Sequence, residues 1–545
     1  MQLSDGMNKY NMRFFLLFGT TLLLSACYQS ESSLTDTVIY CSESNVQSFN
    51  PQVSHDISSL DATTHQLYNR LVKIDPITND YIPDLATQWI LSEDKLTYTF
   101  FLRNNVSFHQ TDYFTPSRYF NADDVIFSLK RMLVQDHPFH FINRSGDAYF
   151  FNHPFTNLIA DIVKLDDYSI QFILKKPDTT LLANLAAHYS VILSKEYADQ
   201  LLAKNAAEQI DFYPIGTGPF KFENADRVDI THYRQHPEYW GGKVSIERLI
   251  FDVTANKTKR YAKLLTGECD IITDPAPSQL QQLSKRSNII LASHPTANIA
   301  LWTFNTNKKP FLDKKIRQIF SNAVDQKNIL KAVFYQSATT TNALLNTKSW
   351  AYNQESAEIQ YKPLQAHRAL EKMGYDFNRT ISILTPVENS IFNPNFLKTA
   401  EIIQANLLKI GVKSEIIYLN QIEIQKHLIS GDYDSYLTGI NGNIDDPDSI
   451  FRPLLSCDST VLEGNASQWC SKEVQDLLNL SLIEPDVTKR IDNYYQLQNI
   501  IQEQRIYYPI AHILRMDAYN KNISGILVDP FTGINFQNIR KTEAY

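Results

Sequence analysis

The sequence predicts an α/β protein of two lobes, and three observations predict it. The chain has 545 residues, more than one compact core organises. β-rich runs and amphipathic helical stretches alternate within each half. The last β-rich run, "GILVDPFTGINF" (525–536), resembles the first half more than the second. Such a chain crosses between its lobes twice, near 290 and again near 510.

The elements follow in order. Residues 35–40 read as the first strand, and Leu60, Leu67 and Leu71 give helical spacing over 60–72. "LTYTFFL" (96–102) is rich in β-formers. "NADDVIFSLKRML" opens on Asn121 as an N-cap. Asp123 and Asp124 stand in its first turn and Lys130 and Arg131 near its end, the distribution a helix dipole favours. Residues 136–155 read as an irregular excursion, 168–174 as a strand, and "PIGTGPFKF" (214–222) as a turn before a strand. A strand at 247–253 precedes a helix closed by Gly267. Asp313 caps a helix reaching Val324, and helices at 361–374 and 397–410 end at Gly374 and Gly411. Strands at 412–419 and from Tyr433 flank a helix at 422–429, and helices at 477–482 and 490–502 precede the β-rich end.

Composition narrows the class. Hydrophobic residues make up 43% and the net charge is −8 with no basic block, which excludes a nucleic-acid protein. Lys9 and Arg13 precede an apolar run at 14–24, shorter than the about 20 residues a bilayer span needs. Residues 1–26 therefore read as a secretory signal. The sequence Leu24-Ser25-Ala26-Cys27 resembles a bacterial lipoprotein box, with Cys27 as the lipidated residue. Cleavage removes Lys9, Arg13 and Asp5, which leaves a mature charge of −9. The expected location is the periplasm, with a membrane tether through Cys27.

Of five cysteines, four remain after Cys27, enough for two disulfides in an oxidising compartment. Cys457 and Cys470 are the local pair, worth about 3 kcal/mol by loop closure. That leaves Cys41 with Cys269, a long-range staple within one lobe.

No enzyme or cofactor motif carries the chain. H-E-x-x-H, the P-loop, G-x-S-x-G and C-x-x-C are absent, and no cofactor is required. His137, His140 and His153 sit among aromatic residues and read as a loop packed on itself rather than as metal or haem ligands. The run "LTGINGNIDDPDSIFRPLLSC" (437–457) fails as a calcium loop. A ladder started at Asn441 continues through Asn443 and Asp445 but puts Asp446 where glycine belongs and Arg452 where glutamate belongs.

Several segments together resemble the extracytoplasmic solute-binding proteins of peptide-type ABC importers. They are residues 85–109, "NADDVIFSLKR" (121–131), "PIGTGPFKF" (214–222), "HPEYWGG" (236–242), 304–325, "WAY" (350–352) and "DDPDSIF" (445–451). "YCSESNVQSFNP", "LLTGEC" and "FRPLLSC…WC" are closest to the dipeptide-binding and Sap-type (antimicrobial peptide transport) branch, whose cysteine arrangement matches both pairs. The resemblance implies a two-lobed periplasmic binding fold with a hinge, an extra α+β domain inserted in the first lobe and a ligand enclosed on closure. The expected division is lobe I at 36–69, 211–290 and 510–545, the inserted domain at 70–210, and lobe II at 291–509. The expected partners are a peptide, a membrane permease and its ATPase subunits, and the expected state is a monomer.

The resemblance also locates the anchors. The family's aspartate for a ligand ammonium falls at Asn443, and a tryptophan just before it falls at Ile440. The arginine for a ligand carboxylate falls at Glu388 or Asn389. Both charged anchors are replaced, which would leave two termini of a free dipeptide poorly compensated in a closed cleft. Weak binding of ordinary dipeptides follows, with a longer or cationic peptide as the expected ligand. Asn441, Gly442 and Asn443 are expected to line the cleft, with Glu388 and Asp445 favouring cations. The main work of Asp445, Asp446 and Asp448 is expected to be shaping the turn and capping the next helix. Alternative readings are a haem or nickel binder on the same fold, an exported enzyme, and a surface lipoprotein that does not transport.

Overall fold

Two strands much longer than their neighbours organise the molecule. The computed structural model describes residues 36–54, 56–142, 154–227, 229–356, 358–442 and 444–543. The expected signal segment 1–26, Cys27, His153 and Asn443 lie outside the described residues. The long strands are Ile289–Phe304, of 16 residues, and Tyr507–Asn520, of 14. They pair antiparallel along two stretches, Ile289 to Pro295 against Asn520 to Leu514 and Ile299 to Thr303 against His512 to Tyr507. The register shifts between Pro295 and Ile299. Pro295 has no N–H to give the ladder, so the strand bulges there.

One sheet extends from this pair to both sides. From one edge its strands are Lys413–Leu419, Thr380–Pro386, Ser435–Asn441, Ile289–Phe304, Tyr507–Asn520, Ile271–Thr273, Thr37–Ser42, Arg248–Val253, Ile230–Gln235 and Phe220–Arg227. Each side has its own core. Tyr40, Leu249 and Phe251 belong to the core of the first lobe, while Trp302, Phe320, Ile383 and Ile403 belong to that of the second. The protein is thus two-lobed, and the bulged strand pair is the natural bending point. A separate sheet on the first-lobe side, in the order Ala86–Leu91, Thr97–Leu102, Ser169–Leu174, Ile159–Asp166, carries the helix Ala122–Leu133. Asn121 accepts from the Asp123 N–H and Asp124 reaches back to the Asn121 N–H, closing a capping box.

The helix expected at 60–72 is shorter, and the reason is tertiary. It spans Ile57–Thr63, and the chain then runs as an open segment into the strand Val72–Ile74. The carbonyls of Gln66 and Leu67 accept from the N–H groups of Phe220 and Gly218, bonds a helix would have used internally. This also accounts for "GTGPF". A Cβ on Gly216 would lie 2.0 Å from the Leu67 oxygen, and one on Gly218 would lie 2.5 Å from the Gln66 oxygen, so two backbones meet where no side chain fits.

Both expected disulfides are present. Cys41–Cys269 joins residues 228 apart and Cys457–Cys470 closes a short polar loop. In the described part of the aromatic excursion Phe139 is buried and His140 bonds the Arg131 carbonyl, while Phe141 is exposed. No helix among the described residues is long and apolar enough to cross a membrane.

Candidate functional site

The site forms where the lobes meet the bulged strand. A cavity of about 220 Å³ lies there. The first-lobe side supplies Ile74, Pro76 and Asn79 from a hairpin and residues 528–531 from a turn near the chain end. The second lobe supplies residues from 344–349, with Gly442 and part of 444–450. His294, Pro295 and Ala297 of the bulge close one end.

Hydrogen bonds hold the lobes together around it. The Tyr81 hydroxyl donates to the Asp445 carbonyl at 2.9 Å, and the Asn79 side-chain amide donates to the Lys348 carbonyl at 2.9 Å. Farther out, the Thr179 N–H donates to the Leu482 carbonyl at 2.8 Å. Ile444 leaves its own lobe and packs into the core of the first. The bulge is tied to the site as well: Asn346 donates to the Thr296 carbonyl and the Gly442 N–H to the Ala297 carbonyl. Space is tight at Gly442, where a Cβ would stand 3.0 Å from both Ala297 and Ile450.

The three aspartates of the loop have different fates. Asp446 is buried and accepts the Arg490 guanidinium on both oxygens, at 3.1 and 2.8 Å. It also accepts the Asp448 N–H at 3.0 Å, which starts the helix Asp448–Leu455. Arg490 in turn lies over the Trp350 and Tyr494 rings. Asp448 pairs with Arg452 one turn along the same helix, at 2.7 and 2.9 Å. Shaping of the turn thus belongs to Asp446, while Asp448 is tied up along its own helix. Asp445 lines the cavity, and its Oδ2 is sealed from solvent with no hydrogen-bond partner among the described residues. Burial first, then the facing Asp529 and then Asp446, push its carboxyl up to about 7.

Of the other residues singled out from sequence, Gly442 lines the cavity. Ile440 and Asn441 end the strand Ser435–Asn441 opposite Ile299 and Asn298 and are not among the described residues lining it. Glu388 and Asn389 are exposed just past the strand Thr380–Pro386, and they too are not among those lining residues. Sequence reasoning missed Asp529, His294 and the 344–349 segment. A signal existed for His294: the polar, proline-bearing stretch "SHPTAN" (293–298) interrupts an otherwise apolar strand. The turn holding Asp529 had none beyond its Asp-Pro pair.

Comparison with known proteins gives the following. The family described as "Bacterial extracellular solute-binding proteins, family 5 Middle" matches residues 80–461. The peptide transport periplasmic protein SapA of Salmonella typhimurium is 35% identical over 92% of this chain and 91% of its own. The crystal structure of a dipeptide-binding protein from Pseudoalteromonas in complex with Met-Leu is 38% identical, with TM-score 0.75 over 93% of this chain and all of that one. HbpA2 from Haemophilus parasuis is 33% identical, with TM-score 0.89 over the same shares.

Proposed function

The chain belongs to the family 5 bacterial extracellular solute-binding proteins, and from that premise we propose that it captures peptides in the cleft between its lobes and hands them to a membrane ABC importer. The observation that carries this reading is the cavity itself. It is walled by both lobes, bounded at one end by the bulged strand, and bridged by hydrogen bonds from lobe to lobe. A solute there loses its water and must find its partners in the wall. The relatives named for peptide transport and crystallised with Met-Leu support a peptide.

In this reading lobe I comprises 36–69, 211–290 and 510–545, lobe II comprises 291–509, and 70–210 is inserted in lobe I. The ligand is a basic peptide, a reading supported by replacement of the two charged anchors by Asn443 and by Glu388 or Asn389. Cys27 tethers the mature protein in the periplasm, a reading supported by Leu24-Ser25-Ala26-Cys27 and tested by the mass of the mature N-terminus.

Native mass spectrometry of protein purified from the periplasm, followed by thermal-shift titration with dipeptides, longer basic peptides and haem, tests the function. A co-purifying peptide, or stabilisation by basic peptides above that by neutral dipeptides, is expected. Stabilisation by haem alone would overturn the reading.

A further inference from the structure

The loop aspartates differ in a way that points at the ligand. Asp446 and Asp448 each hold an arginine, while Asp445 lines the cavity with no ion pair among the described residues, and its Oδ2 is buried without a hydrogen-bond partner. From the opposite lobe Asp529 lines the same cavity. Its Oδ1 accepts the N–H groups of Phe531 and Thr532, each at 2.8 Å, which locks the turn that presents it. We propose that Asp445 and Asp529 form a cation subsite at the hinge end of the cleft, which takes the ammonium or guanidinium of a basic ligand and couples its capture to lobe closure. The inference rests on the reading of this cleft as the solute site.

The charges around Asp445 leave this place for a ligand. Arg490 is committed to Asp446. Arg70 is buried, and its attraction to Asp529 comes from within the first lobe. Lys348 lines the cavity but is an exposed residue. Burial holds His294 below its ordinary range, so it is neutral at pH 7 and supplies no cation. Tyr81 reaches only the Asp445 carbonyl. Closing the lobes therefore brings two carboxylates together in a space poor in water, and either a proton or a cation must neutralise one of them. A metal suits the site less well, because no group of three or more candidate ligands occurs among the described residues. Ile74, Leu345, Val528 and Ile450 line the same cavity and offer an apolar wall to the stem of a lysine or arginine side chain.

The test compares Ala-Lys-Ala with Ala-norleucine-Ala, and n-butylammonium with n-butanol, by calorimetry on the wild type and on Asp445→Asn. The wild type should prefer the lysine peptide by about tenfold near pH 8, with proton release on binding that is small there and grows as the pH falls through 7. The preference should shrink toward pH 6, where Asp445 holds its proton. Asp445→Asn should lose the preference. Peptide binding with equal affinity for both probes, or a preference that survives Asp445→Asn, would overturn the subsite and leave the peptide reading standing. Binding of n-butylammonium in an Asp445-dependent manner, with neither peptide bound, would support the subsite and sink the peptide reading. No Asp445-dependent binding of any probe would overturn the subsite outright.

Discussion

At Asp445 the folded, unliganded protein holds a proton that an unfolded chain releases near pH 4. Its carboxyl is pushed up to about 7 by burial and by Asp529, against an unperturbed value of about 3.9. Between those values the native state binds the extra proton, so this group makes stability fall as pH rises from about 4 to about 7. Asp445→Asn removes that loss. Its unliganded melting temperature should exceed that of the wild type by about 2 °C near pH 8 and converge with it near pH 4, read by differential scanning fluorimetry. A lower melting temperature at pH 8 would mean that Asp445 has a partner. Asp446→Asn acts in the opposite sense. It strands the buried Arg490 and should cost about 3 kcal/mol in urea unfolding. The sequence shows three equivalent carboxylates. The Asp448–Arg452 pair is legible at helical spacing, whereas Arg490 lies 44 positions from Asp446, so which aspartate stays free is not.

At the scale of elements, local chemistry was readable wherever an element satisfies itself. The capping box at Asn121, the left-handed glycines closing helices at Gly267, Gly374 and Gly411 and the short-loop disulfide Cys457–Cys470 are of this kind. Elements that take bonds from far away were not, as the shortened helix Ile57–Thr63 shows. The close contact that stops it also makes a prediction. Gly216→Ala places a methyl against the Leu67 carbonyl, backbone that cannot step aside, and should destabilise the first lobe by about 2–3 kcal/mol. Denaturant unfolding should show the midpoint falling with little change in slope. An unchanged midpoint would mean that the contact relaxes freely.

In the proposed reading the whole molecule works by the balance between open and closed arrangements about the bulge in the crossover strands. The bonds from Tyr81 and Asn79 favour the closed one. Tyr81→Phe removes a net contribution of about 1 kcal/mol, so ligand affinity should weaken about fivefold, with a larger radius of gyration for the unliganded variant in small-angle scattering. Equal scattering from the two proteins would mean that this bond does not bear on closure. Closure and charge are linked as well: a closed, empty cleft confronts Asp445 with Asp529, and a cationic ligand relieves that confrontation.

Read alone, the sequence determined the α/β class, the two lobes and the local cysteine pair. These rest on periodicity, spacing and composition, which a linear chain displays directly. It also put Asp445 and Gly442 in view, because the loop is contiguous. Only the tertiary structure decided that Asp446 and Asp448 are neutralised while Asp445 is not. It alone brought Asp529, 84 positions further along, to the other wall of the same cavity. Burial and cross-lobe proximity set the charge of a carboxylate, and neither is a property of sequence neighbours.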